Sequence, residues 1–214
     1  MPGTIRLFRL SVVLLAPLLL GAAPSGRDAT AADRALVQQD DGLRHAASGM
    51  RFPPRVAGFE IVEQSVYDAA GRDISVGYNL YRPDAMIVAT VYVYPAPGAG
   101  NAKPDADTRA REGRAELERR KQEVTGANPA AVLLEEGPTT LSQPSGSIDG
   151  WRASYRMTGK FGRETEVLRS ELYVFWGVGK TWALEYRISF PERLGPRPEI
   201  GAFMQALPIT IPAG

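Results

Sequence analysis

Few residues in this 214-residue chain have the types and spacing that chemistry requires. Gly177-Val178-Gly179-Lys180-Thr181 has the tail of a phosphate-binding loop, in which backbone N–H groups and a lysine cradle the phosphates. The full pattern also needs a glycine five residues before Gly179, where Val174 stands, and a helix directly after it. Strand-forming residues flank this stretch on both sides, so it reads as a hairpin turn. His45 is the only histidine and there is no cysteine, which leaves no Ser-His-Asp or Cys-His arrangement and no His/Cys metal site. It precedes the expected folded region and reads as an exposed histidine on a tether. Glu171 and Glu185 would work as an acid/base pair only if they shared a cleft. On the polar face of a sheet they read instead as solvated ion-pair partners. No catalytic residue, cofactor site or metal site is predicted, and the chain is read as non-enzymatic.

The elements that position these groups centre on residues 164–190, two long strands joined at Gly177-Val178-Gly179 and carrying Trp176 and Trp182. Leu168, Leu172, Val174, Trp176, Trp182, Leu184, Tyr186, Ile188 and Phe190 all fall on even positions, the period-two signature of one buried face. Pairing Trp176 with Lys180 suits the turn but sets Glu171 against Glu185. Pairing Trp176 with Trp182 sets Glu171 against Arg187, and this register is preferred because opposite charges across a ladder attract. Arg152 of the preceding strand then faces Glu171, giving an expected Arg152–Glu171–Arg187 row on the outer face. Tyr173 and Phe175 lie on that outer side, and Tyr92 and Tyr94 lie opposite Val91 and Val93. Such rings are either covered by helices or exposed for recognition. Tyr92, Tyr94, Tyr173, Phe175, Arg152, Glu171 and Arg187 are therefore the candidate partner surface.

The chain opens with Arg6 and Arg9, the apolar run Leu10–Leu20 and then small residues, the pattern of a secretory signal peptide over residues 1–25. Cleavage is expected after Ala22 or Ser25. The apolar run is shorter than the about 20 residues that span a bilayer. Its removal takes the formal charge from +1 to −1, which gives no electrostatic reason to expect nucleic acid or an anionic membrane as partner. Residues 26–50 read as a flexible tether and residues 51–214 as one domain, large enough to bury a core without disulfides. Export to the periplasm or the exterior, without stable membrane insertion after cleavage, is the expected localisation.

Along that domain, residues 58–67, 74–81 and 86–94 read as an antiparallel meander of strands. Residues 108–124 form the clearest helix, with Thr108 as cap, Glu116 and Arg120 as an i,i+4 pair, and a thin apolar stripe that keeps it on the surface. Residues 130–141 read as a strand broken at Gly137-Pro138, residues 142–150 as a loop or a bulged edge, residues 151–158 as a strand and residues 199–207 as a short helix. The fold class is α+β, an antiparallel meander with helices packed on it.

This order, with Trp151 and Tyr155 as W-x-x-x-Y, Leu172-Tyr173-Val174-Phe175, and Phe203-Met204 in the last helix, resembles the Mog1/PsbP-like α/β sandwich family over residues 50–211. That resemblance implies a mostly non-enzymatic repertoire of accessory subunits, exported proteins and a small GTPase-binding factor. No functional residue carries over from it. The expected function is an exported, non-catalytic binding or accessory domain for a protein partner in the cell envelope. The alternative is a small-molecule or lipid carrier with a pocket between sheet and helix lined by Tyr78, Tyr155 and Trp182.

Overall fold

Strand-forming runs lie where alternation and β-branching place them. The computed structural model describes residues 35–83, 85–98, 104–144, 146–161 and 164–209; the expected signal segment and the start of the tether lie outside these. Strands β1 (Leu36–Gln39), β2 (Gly42–His45) and β3 (Arg51–Phe52) make a small antiparallel sheet. Next come β4 (Arg55–Val56), β5 (Phe59–Val66), β6 (Ile74–Tyr81) and β7 (Met86–Pro95), then helix α1 (Ala106–Ala127). They are followed by β8 (Val132–Gln143), β9 (Gly146–Phe161), β10 (Glu164–Val178) and β11 (Trp182–Pro191), a 3-10 turn (Glu192–Leu194), and helix α2 (Pro198–Ala206). The meander of β5, β6 and β7 and both helices agree with the sequence reading.

The second sheet has the order β4-β5-β6-β7-β11-β10-β9-β8, with every neighbouring pair antiparallel. It is two meanders joined side by side at β7 and β11. Helix α1 leads from the inner strand β7 across one face to the far edge at β8. β8 is not broken at Gly137-Pro138: Pro138 sits on this edge strand, where a missing N–H costs nothing toward a neighbour. Most of the stretch expected as a loop or a bulged edge at 142–150 is instead strand: β8 runs to Gln143 and β9 begins at Gly146, and these two residues pair. Helix α1 starts at Asp105, whose carboxylate accepts from Thr108 N–H at 2.6 Å, so Thr108 is inside the first turn and not the cap.

The hairpin of β10 and β11 takes neither expected register. Trp176 pairs with Ala183, Val178 with Trp182 and Leu172 with Arg187, because a bulge between Trp176 and Val178 inserts one residue. Gly177, Gly179 and Lys180 all have positive φ, which lets the chain make this bulged turn. A one-residue slip exchanges the faces of a strand. Even residues of β10 therefore share a face with odd residues of β11, and the expected single even-numbered buried face is corrected to one buried face on each side of the sheet.

Under α1 lie Leu168, Leu172 and Val174 with Ala153, Tyr155 and Met157, packed on Leu117 and Val124. The other face carries Val91, Phe175, Leu184, Tyr186 and Ile188, packed with Tyr78, Phe59 and Phe203 of α2. The small sheet closes the same core through Leu36, Leu43, Met50 and Phe52, so most of the stretch read as tether is folded. Gly150 of β9 lies under the Phe175 ring, where an added Cβ would fall 2.4 Å from Cδ1 and 2.5 Å from Val174 O.

His45 is fully buried, which corrects its reading as an exposed residue. Its Nε2 donates to Gly71 O at 2.8 Å, and Nδ1 accepts from Ser48 Oγ at 2.7 Å. The ring meets Trp182 edge-on at 5.4 Å. Burial lowers its pKa against the opposing pull of the Gly71 carbonyl and Asp68.

Two predictions follow from this packing. The unfolded chain takes up a proton on His45 near its ordinary value of 6.5 and the fold only at lower pH, so stability is full above 6.5 and falls below it. Urea unfolding across about pH 5 to 7.5 should show a slope of up to ~1.4 kcal/mol per pH unit that His45→Gln flattens; an unchanged slope would refute the assignment. Gly150→Ala should destabilise by about 1–3 kcal/mol through overpacking against Phe175, and a neutral effect in the same assay would show that the ring moves aside freely.

Candidate functional site

The sheet separates the seven candidate surface residues into two sets. Tyr92 and Tyr94 of β7 and Arg187 of β11 lie on the α1 face, since Tyr92 pairs with Glu185 and Tyr94 with Ala183. Arg152, Glu171, Tyr173 and Phe175 lie on the α2 face, as Arg152 pairs with Tyr173 and Tyr173 with Tyr186. The expected Arg152–Glu171–Arg187 row is therefore not formed: the bulge puts Arg187 on the opposite side from Glu171. Tyr94 and Phe175 are 3% and 0% exposed and belong to the interior, so as partner-surface residues they are corrected.

On the α1 face the polar residues form a closed ionic network. Glu116, Arg120 and Glu123 project from one side of the helix, at spacings of four and three residues. Tyr94 donates its hydroxyl to Glu116 at 2.9 Å and lies 3.2 Å from Glu185. Arg120 bonds Glu116 at 2.6 Å and Glu123 at 2.5 Å and lies 3.3 Å from Glu185. Arg187 closes the ring by bonding Glu185 and, at 2.6 Å, Glu123. Arg119 pairs with Glu116 from outside. Glu116 and Glu185 have fully buried side chains. Burial alone would raise the Glu116 pKa, but the charges of Arg120 and Arg119, with hydrogen bonds from Arg119 and Tyr94, hold it below its ordinary range. Burial, reinforced by Glu185, pushes the Tyr94 hydroxyl far up, so it stays a donor. Tyr92 is covered by the Arg187 guanidinium, 5.1 Å from its ring centre. This face is an anchor for α1, not an accessible surface.

On the opposite face an open groove of about 390 Å³ runs between the sheet and α2. Its floor is a block of cross-strand neighbours. Tyr173 stands beside Arg152, Glu171 beside Ser154 and Ile188, and Arg169 beside Phe190. Glu192 and the Gly195-Pro196-Arg197 loop form one rim, and Ile200 and Gly201 of α2 the other. Glu171 is 9% exposed; its Oε1 accepts from Ser154 Oγ at 2.9 Å and from Arg169 Nε at 3.2 Å. Its Oε2 has no hydrogen-bond partner among the described residues. Burial, with the Glu171 charge, pushes the Tyr173 hydroxyl up to about 12, so it remains protonated. Arg152 is tied to Glu135 at 2.5 Å, and Arg197 braces its own loop through Leu194 O and Gly195 O.

The groove thus joins three candidate residues, Arg152, Glu171 and Tyr173, to Arg169, Arg197 and Glu192, which sequence reasoning missed. Arg169 had a signal, being two residues from Glu171 on the same strand face. Arg197 lies in a stretch read only as loop, with no periodicity to place it. Glu171 and Glu185 are on opposite faces and share no cleft, so the two-carboxylate arrangement is excluded. Tyr155 lies beneath α1 while Tyr78 and Trp182 lie in the other core, so these three do not line one pocket. Among the described residues no three of His, Asp and Glu converge as a metal site would require. What the groove offers chemically is recognition: guanidinium donors around a buried acceptor.

If the ionic ring is what holds α1, Glu185→Ala should cost about 3–5 kcal/mol, because it leaves two buried guanidiniums short of a partner. Tyr94→Phe should cost about 1–2 kcal/mol. Urea unfolding at neutral pH measures both, and a Glu185→Ala cost below about 1 kcal/mol, the range of surface pairs, would remove the anchoring role. Comparison with family models, with curated proteins and with solved structures gives no match.

Proposed function

We propose that this chain is an exported, non-catalytic domain that binds a protein partner of the cell envelope through the groove between β9–β10 and α2. The observation that carries the reading is Glu171: a carboxylate with one oxygen buried and, among the described residues, unpartnered, in a groove lined by Arg152, Arg169 and Arg197. A buried acceptor left unpaired costs about 1–3 kcal/mol, more when charged, and a ligand donor removes that cost. Export is supported by Arg6, Arg9 and the apolar run Leu10–Leu20 ahead of small residues. An accessory role of the Mog1/PsbP-like kind is in keeping with the order of elements. The carrier alternative has one observation in its favour, since a groove of about 390 Å³ is in the size range of small-ligand sites. The charged lining suits a small polar molecule and not a lipid.

A photo-crosslinking side chain placed at Gly201, on the groove rim, tests this against the same probe at Glu118 on the outside of α1. In the native host, a discrete protein adduct is expected from the Gly201 position alone, and Glu171→Gln should weaken it severalfold. Equal adducts from both positions, or none from the groove, would sink the reading.

A further inference from the structure

We propose that the groove takes the carboxy-terminal end of a partner polypeptide, an assignment that rests on the groove being the binding site. In it the terminal carboxylate meets the Arg169 guanidinium beside the first turn of α2. The N–H of the last residue donates to Glu171 Oε2, and the last side chain lies on Phe190 and Ile200.

Two features converge on that chemistry. Glu171 Oε1 is satisfied twice while Oε2 makes no bond among the described residues, so the floor needs a hydrogen-bond donor. Arg169 spends Nε on Glu171, and its two terminal nitrogens bond no other described residue, leaving a two-pronged donor of the geometry that carboxylates accept.

A chain end fits this set better than other anions do. Arg169 and Glu171 are two residues apart on one face of a strand, roughly 7 Å along it. The last residue of a polypeptide carries a carboxylate and a backbone N–H at fixed short spacing, so both can be met together. A phosphate monoester dianion brings no donor and would be repelled by Glu171. An aspartate or glutamate side chain brings its carboxylate on a flexible stem with no N–H fixed beside it. The rim is also open where a chain would enter, because a Cβ at Gly195 or Gly201 would meet nothing within 4 Å.

The test is an array of hexapeptides anchored by their amino ends, with the last two positions varied through all amino-acid pairs. Each is presented as the free acid and as the amide and probed with the labelled protein lacking residues 1–25. Free acids with apolar last residues are expected to bind, and their amides at least tenfold more weakly. Arg169→Gln should remove most of that acid-over-amide preference, and Glu171→Gln should weaken the free acids. Gly201→Met should block binding while leaving the unfolding midpoint no lower, since it puts a helix former into open space. Acids and amides bound equally, yet blocked by Gly201→Met, would overturn the terminal-carboxylate assignment and leave the groove reading standing. Binding that survives Gly201→Met would overturn both. Absence of binding to every peptide overturns the proposal, as does displacement of the best peptide by an equal concentration of glucuronate, which offers a carboxylate beside a hydroxyl donor.

Discussion

Gly177 adds one residue to β10 just before the turn, and the two faces of the sheet are sorted by that insertion. Side chains alternate with a period of two, so a single extra residue moves everything beyond it to the other side. Leu184, Tyr186 and Ile188 thereby join Phe175 and the core beneath α2, while Ala183, Glu185 and Arg187 join Leu172 and Val174 beneath α1. An unbulged hairpin would gather the large apolar residues of both strands on one face. The other face would then hold Glu171, Tyr173, Glu185 and Arg187 together, with too little apolar surface to receive a helix. The bulge is thus what allows one eight-stranded sheet to be covered on both sides.

Helix α1 depends on that sorting in a second way. Its apolar contribution is small, chiefly Leu117 and Val124, and burial of two such side chains gives only about 3–6 kcal/mol before entropy is counted. Close approach helps: Gly113 has no side chain, and a Cβ there would stand 3.3 Å from Trp151 and 3.4 Å from the Trp176 Cβ. The rest of the docking geometry comes from Glu116, Arg120 and Glu123, at spacings that put them beside Gly113, Leu117 and Val124. Buried ion pairs seldom add much net stability, because desolvation offsets their attraction. What they do supply is a penalty for any other placement. Sliding α1 by one turn would take Arg120 from Glu185 and Glu123 from Arg187, so the network fixes where the helix sits.

Much of this fold is legible in the sequence, and the illegible parts have a common physical origin. Met86–Pro95 and Ile74–Tyr81 are dense in β-branched and aromatic residues and read directly as strands. Helix α1 announces itself by charge spacing and α2 by its apolar positions at 200, 203, 204 and 207. Alternation reports the parity of each strand alone and says nothing of an inserted residue between two strands, so the Arg152–Glu171–Arg187 row was derived from a false premise. The Glu116–Arg120 pair was visible as an i,i+4 spacing, but its burial was not, because that depends on Glu185 and Tyr94 arriving from distant strands. His45 sits among small and polar residues with no periodicity, and only the folding of β1–β3 onto the main core buries it. Half of the groove, Arg152 with Glu171 and Tyr173, could be anticipated because these residues share strand faces; Arg197 and Gly201 are brought in by a loop and a helix that pattern cannot orient.

The two glutamates that look alike in sequence are treated oppositely by the same sheet. Glu185 and Glu171 both stand mid-strand, both are nearly or fully buried, and each has an arginine two residues away on its own face. Around Glu185 the fold supplies Tyr94, Arg120 and Arg187, so both carboxylate oxygens are bonded. Around Glu171 it supplies Ser154 and Arg169 to one oxygen and, among the described residues, nothing to the other. Stability alone does not favour this second arrangement. Glutamine at position 171 would remove the buried charge, and an apolar residue would pack beside the buried Ile188. The half-satisfied carboxylate is therefore not explained by stability, and the proposed binding role rests on it.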